Sequence, residues 1–351
     1  MIFFNNDNYS NALAEQGKLA NIVAQKYGKD SFETETAVFI EEFLNQEEYV
    51  KVHTSGSTGI PKEILAKKKY MCASAYMTCD FLKLNRGDNA LLCMSLKHIA
   101  GKMMVVRALL RELNLITVKP CANPFLHAPL NLDFAAITPM QAFCALNDPT
   151  SAKIMGTCKK IIIGGGPIDK NLHARLIKLP NVIYHSYGMT ETLSHIALKR
   201  LDDDFYKPFT PLSNVYVSLS DKGTLIIKAL HVCEKILETN DIAKINNDGF
   251  TILGRIDNII NSGAIKLIPE VIEDKLQKVI PEKLAITSAF SEKYGEEVVL
   301  VIERKISDEI LKKAYLTLDK YEKPKRVIVT SIPLTETQKI DRKSLKAKIQ
   351  A

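Results

Sequence analysis

His53-Thr54-Ser55-Gly56-Ser57-Thr58-Gly59-Ile60-Pro61-Lys62 is the stretch around which the rest of the chain arranges itself. From Thr54 to Gly59 it carries no apolar side chain. Glycines there free the backbone to turn and bring N–H groups to a ligand, hydroxyls offer donors to phosphate oxygens, and Lys62 adds a full positive charge. The spacing is Gly-x-x-Gly-x-x-Lys, with Pro61 where the second Walker glycine belongs and Glu63 where its hydroxyl residue belongs, so this is a phosphate loop of another kind. Composition alone also fits a flexible Ser/Thr/Gly linker, and the residues downstream decide between the two.

Outward from this loop, apolar spacing alternates between two periods. Residues 11–45 repeat at helical spacing, 50–54 read as a strand feeding the loop, and 69–82 are helical again. Strands are expected at 90–95, 115–119, 134–137, 160–163 and 182–185, with helices at 99–113, 139–146 and 169–179 between them. Such alternation argues for an open α/β sheet whose ligands gather at the carboxyl ends of the strands. Two loops directly follow such strands: Gly164-Gly165-Gly166-Pro167 and Ser186-Tyr187-Gly188-Met189-Thr190-Glu191. A hairpin at 214–228 and a strand at 250–253 close the large domain, expected at 1–256. A small α+β domain, 257–351, follows, with helices at 269–280 and 308–320 and strands at 284–290, 297–303 and 326–332.

The whole-chain properties narrow the class. At 351 residues the prior is two domains, roughly one per 150. The formal charge of +7 is spread along the chain, which small anionic ligands explain as well as nucleic acid would, and no nucleic-acid partner is expected. No apolar run approaches the ~20 residues of a membrane span, and the start lacks the pattern of a secretory signal. Seven cysteines without a Cys-x-x-Cys pair indicate neither a disulfide framework nor a zinc site, so a cytoplasmic location is expected. Oligomeric state stays open, a homodimer being one of the states allowed.

The nonamer from Thr54 to Lys62 resembles the TSGSTGxPK signature of the adenylate-forming superfamily: acyl-CoA synthetases, peptide-synthetase adenylation domains and luciferases. Tyr187-Gly188-Met189-Thr190-Glu191 is similar to its YGxTE signature, and Pro333-Leu334-Thr335 with Lys339-Ile340-Asp341-Arg342 to its last signature. The resemblance implies ATP, Mg²⁺ and coenzyme A as partners and a small α+β domain that moves against the large one. It places ATP on Thr54, Ser55, Gly56, Ser57, Thr58, Gly59 and Lys62, on the adenine-side loop Gly164, Gly165 and Gly166, and on Tyr187, Gly188, Met189 and Thr190. Asp241, in a Thr-x-Asp element read as a loop, would take the ribose hydroxyls, and Arg255 would lie beside ribose and phosphates. Glu191 would hold the metal, Lys339 would bridge substrate carboxylate and α-phosphate, and Asp257 would be the hinge. Ser262 and Gly263 would serve the second half reaction with CoA. Gln338 stands where the signature has glycine, Ala264 where a second glycine is usual, and the part before the phosphate loop is shorter than in most relatives.

Leu96-Lys97-His98-Ile99-Ala100-Gly101, with Arg107 nine residues after the histidine, is similar to the branch that joins o-succinylbenzoate to CoA in menaquinone synthesis. By that resemblance His98, Gly101 and Arg107 line the acyl pocket. Physically, Arg107 is one charge on an otherwise apolar helix face: it can pair with a second substrate carboxylate or snorkel to water. Ligation of another aryl or fatty acid, loading of a carrier protein by a stand-alone adenylation domain, and non-catalytic nucleotide sensing share most of these signatures.

Overall fold

The computed structural model describes residues 1–53, 63–335 and 339–350. One compact unit comprises Met1–Tyr216 with Lys228–Ile236. In chain order it contains β1 (Ile2–Phe4), β2 (Asp7–Tyr9), α1 (Asn11–Glu15), α2 (Leu19–Tyr27), α3 (Phe32–Leu44), β3 (Tyr49–His53), β4 (Glu63–Lys67), α4 (Lys68–Leu82), β5 (Asn89–Leu92) and α5 (Ile99–Arg111). There follow β6 (Asn114–Thr117), β7 (Phe134–Ile137), α6 (Pro139–Leu146), α7 (Pro149–Thr157), β8 (Lys160–Ile163), α8 (Lys170–Leu176), β9 (Val182–Gly188), β10 (His195–Arg200) and β11 (Thr210–Pro211).

A nine-stranded sheet runs in the order β11-β10-β9-β8-β7-β5-β6-β1-β2. The strands from β5 to β9 are parallel, and β1 joins β6 in parallel, while β2, β10 and β11 run antiparallel to their neighbours. Parallel strands covered on both faces need continuous apolar runs, and Ala90-Leu91-Leu92, Phe134-Ala135-Ala136-Ile137 and Ile161-Ile162-Ile163 supply them, all buried. Strand order reverses at β5, which has β6 on one side and β7 on the other, and such a switch point is where open α/β sheets bind ligands. Helix starts are encoded locally. Thr138 and Gln141 form a capping box on α6 with Pro139 in the first turn, and Asp148 and Asp169 cap α7 and α8.

In this unit three features differ from the sequence expectation. The strand entering the phosphate loop is one arm of an antiparallel pair, β3 with β4, which stands apart from the main sheet. Ile2–Phe4 joins the sheet between β6 and the edge strand β2, too short at three residues for a period to show. Tyr187 and Gly188, expected on a loop, are the last residues of β9.

The second compact unit comprises Val217–Ile227 with Leu237–Ala351. It opens with a four-stranded sheet of β12 (Tyr216–Leu219), β13 (Thr224–Lys228), β14 (Leu237–Asn246) and β15 (Gly249–Arg255), in that order. Glu238 to Asp241, expected as a loop, lies on β14: the polar run hides a strand whose Thr239 and Ile242 face inward. Next come β16 (Ile260–Ser262), β17 (Ile265–Leu267), α9 (Pro269–Leu276), β18 (Leu284–Ser291), β19 (Gly295–Ile302), α10 (Asp308–Tyr315), β20 (Arg326–Val329) and α11 (Arg342–Gln350). The five strands form one sheet, with β20 parallel to β19. The expected boundary between residues 256 and 257 falls inside this unit.

Candidate active site

The loop expected on the adenine side, Gly164–Gly166, leaves β8 at its carboxyl end, and β9 lies beside it. Gly165 has φ +82°, a conformation other residues rarely take, and a Cβ on Gly164 would collide with the Ser186 hydroxyl. Ser186 Oγ donates to the Ile163 carbonyl at 3.3 Å, and His185 Nε2 lies 3.0 Å from the Gly166 carbonyl oxygen. A carbonyl only accepts, so His185 carries its proton on Nε2. Burial first, then the Lys199 charge, lowers the His185 pKa to about 4. Phe209 packs on both His185 and Tyr187, with ring centroids 5.2 and 5.9 Å away, and so fixes the wall on which a base would stack.

Past Gly188 the chain enters a single turn of 3-10 helix, Thr190–Thr192. Gly188 is required by close approach: a Cβ there would run into the Ser194 carbonyl and His195 Cα. Glu191 is exposed on that turn and makes no ion pair among the described residues. Among those residues no group of three or more His, Cys, Asp or Glu could hold a metal by itself. Magnesium is commonly held by one or two carboxylates together with substrate phosphates, and Glu191 fits such a site.

Arg107 lies on α5 with only 3% of its surface exposed. Snorkelling to water is therefore excluded. Its Nη2 donates to Ser194 Oγ at 2.5 Å, while Nε is buried without a partner, and no carboxylate pairs with it among the described residues. Burial lowers its pKa to about 10, so it remains a cation at neutral pH. Ser194 touches His195 Nδ1 at 3.3 Å, and His195 Nε2 lies 3.0 Å from Thr78 Oγ1 on α4. Of the other residues expected at the acyl pocket, His98 is exposed at the N-terminus of α5. Gly101 is buried, where a Cβ would strike the Met94 and Ser95 carbonyls.

Within the second unit a separate cluster forms. Arg255 bonds Asp241 at 3.2 Å through Nη1 and Asp257 at 2.7 Å through Nη2, and Asn240 also donates to Asp257. Lys339 is held in a reversal, its N–H donating to Thr335 Oγ1 and its carbonyl accepting from Thr335 N–H. Lys339 reaches the surface, yet the protein around its stem desolvates the ammonium and lowers its pKa, with Asp241 opposing the shift and Arg255 adding to it. The structure thus brings Lys339, Asp241 and Arg255 together, three residues far apart in sequence. Ser262 and Gly263 sit at the β16–β17 turn, where Gly263 has φ +65° and donates to the Tyr294 carbonyl at 2.7 Å.

Thr54, Ser55, Gly56, Ser57, Thr58, Gly59, Lys62 and Gln338 lie outside the described residues. Sequence reasoning missed Thr78, Ser194, His195 and Phe209. The available signal was a serine and a histidine opening the otherwise apolar run Ile196-Ala197-Leu198.

A sheet with a switch point, a glycine loop beside a tyrosine wall, and a lysine beside a carboxylate and an arginine define the adenylate-forming class of enzyme. The family model for AMP-binding enzymes matches residues 15–228, and the chain belongs to that family. A 2-succinylbenzoate–CoA ligase of Bacillus cereus (strain ATCC 10987) is 25% identical, over 90% of this chain and 73% of that protein. Among solved structures, the acyl-CoA synthetase (AMP-forming)/AMP-acid ligase II-like protein of Dyadobacter fermentans is 30% identical with TM-score 0.65, covering 97% of this chain and 99% of that one. The o-succinylbenzoate CoA synthetase of Bacillus subtilis, solved in complex with the acyl-adenylate intermediate, shares the fold at TM-score 0.71 and 21% identity, over 87% of this chain and 69% of that one.

Proposed function

We propose that this enzyme is an AMP-forming acid–CoA ligase whose acid is o-succinylbenzoate. In the first half reaction a substrate carboxylate oxygen attacks the α-phosphorus of ATP in line and pyrophosphate leaves. In the second, the CoA thiolate attacks the acyl carbon and AMP departs. Lys339 offers its ammonium to the charge that builds between carboxylate and α-phosphate, Asp241 accepts from the ribose hydroxyls, and Tyr187 and the Gly164–Gly166 loop hold the base. Glu191, together with the phosphates, would hold magnesium, which would neutralise charge on the phosphate oxygens. No protein nucleophile enters this scheme. We assign the moving part to residues beyond a hinge at Asp257, and the free cysteines support a reducing compartment, the cytoplasm.

The observation that carries the substrate is Arg107: a buried guanidinium with no carboxylate partner among the described residues calls for an anion from the ligand. A substrate with two carboxylates supplies it, one to be activated and one to be held. The names of the relatives support the same acid. ATP–pyrophosphate exchange driven by o-succinylbenzoate, compared with benzoate and octanoate, tests the reading. Arg107→Ala should raise KM for o-succinylbenzoate by roughly ten- to a hundredfold, the worth of a hydrogen bond to a charged group. A preference among these acids that is the same in variant and parent would remove the assignment.

A further inference from the structure

We propose that Ser194, His195 and Thr78 form a one-way hydrogen-bond chain that positions Arg107 for the second carboxylate, an inference that rests on the role given to Arg107 above. The direction follows from which groups can only donate or only accept. A guanidinium only donates, so Ser194 Oγ accepts from Arg107 Nη2 at 2.5 Å. At the other end the Ser74 carbonyl only accepts, so Thr78 Oγ1 gives it its single hydrogen at 3.0 Å. With its hydrogen so placed, Thr78 Oγ1 accepts from His195 Nε2, 3.0 Å away, which puts the proton on that nitrogen. His195 Nδ1 is left with a lone pair, and Ser194 Oγ donates to it at 3.3 Å.

Each member thus has one role, and moving the His195 proton to Nδ1 would take from the Ser194 hydrogen the acceptor it has there. A doubly protonated His195 would aim an N–H at Ser194, leave the serine hydrogen without an acceptor, and set a second cation beside Arg107. Burial, then the Arg107 charge, holds the His195 pKa well below the ordinary histidine range. The chain spans α4, α5 and the start of β10, and Thr78 and Ser74 are completely buried. It therefore ties the guanidinium to two helices and the sheet. Ser194, His195 and Thr78 are positioning residues: they touch Arg107 or one another, and Arg107 alone meets the ligand's anion.

Two measurements on the full chain test this. In ¹⁵N spectra of histidine-labelled protein, His195 should be neutral with its proton on Nε2 between about pH 6 and 8. A charged ring, or a proton on Nδ1, would overturn the chain. Ser194→Ala should raise KM for o-succinylbenzoate by about tenfold, one hydrogen bond to a charged group, while KM for ATP stays within about twofold and Ser194→Thr restores the parent value. Equal loss for acid and ATP would assign Ser194 a merely structural part. If Arg107→Ala raises KM for the acid and Ser194→Ala does not, the chain is refuted while the role of Arg107 stands. If Arg107→Ala itself leaves KM unchanged, both fall together.

Discussion

His185 and His195 are held neutral by burial, and the Gly166 carbonyl fixes His185 as the Nε2–H tautomer. An unfolded chain protonates histidine near its ordinary pKa of about 6.5. The folded pKa lies lower, so below that value the unfolded state binds protons that the folded state refuses. The stabilisation is fully present above about pH 6.5 and is lost as pH falls, for His185 until its folded pKa of about 4 is reached. His173 and His231 shift in the same direction, also through burial. Each such group contributes a slope of at most about 1.4 kcal/mol per pH unit. In the second unit, burial raises the Glu273 pKa, and that carboxyl works the opposite way at the acid end. Urea midpoints should therefore fall steadily from about pH 6.5 to 4.5, with His185→Gln flattening the slope. A midpoint constant across that window would contradict neutral buried rings.

The strand β9 and the bulge facing it do for the site what no single residue can. Register between β9 and β10 shifts between His195 and Ala197, and Gly188, paired with His195, has no Cβ to keep the bulged backbone away. Bulges beside active sites re-aim side chains, and this one carries Ser194 and His195 to Arg107. Gly188→Ala should cost about 1–3 kcal/mol, read from a urea midpoint, because the added methyl meets main chain that cannot rotate away. An unchanged midpoint would show that the backbone yields. The glycine itself was legible from sequence through its motif, and β5, β7 and β8 through their continuous apolar runs. The chain from Arg107 to Ser74 was not legible, because it joins residues up to 117 positions apart through geometry that only the packed sheet creates. β14 escaped for a different reason: Glu238, Asn240 and Asp241 disfavour a strand locally, and pairing with β13 and β15 overrides that preference.

Across the whole molecule the residues of the proposed chemistry divide between two compact units. The tyrosine wall, the glycine loop, Glu191 and Arg107 belong to the first, and Lys339, Asp241 and Arg255 to the second. The proposed reaction divides likewise, since only adenylate formation builds charge between a carboxylate and an α-phosphate, whereas the thiolate attack expels AMP. An ammonium at ~4 Å from an anion is worth up to about 4 kcal/mol at an effective dielectric near 20, or roughly a thousandfold in rate. Lys339→Ala should lower ATP-dependent adenylation by about that factor yet leave thioester formation from a supplied acyl-adenylate close to the parent rate. Burial also lowers the Lys339 pKa, so adenylation should fail on the alkaline side before a freely solvated lysine would lose its proton. Separate assays of the two half reactions decide the matter. Equal loss in both would mean that Lys339 serves a common structural need, and the division of labour between the half reactions would have to be given up.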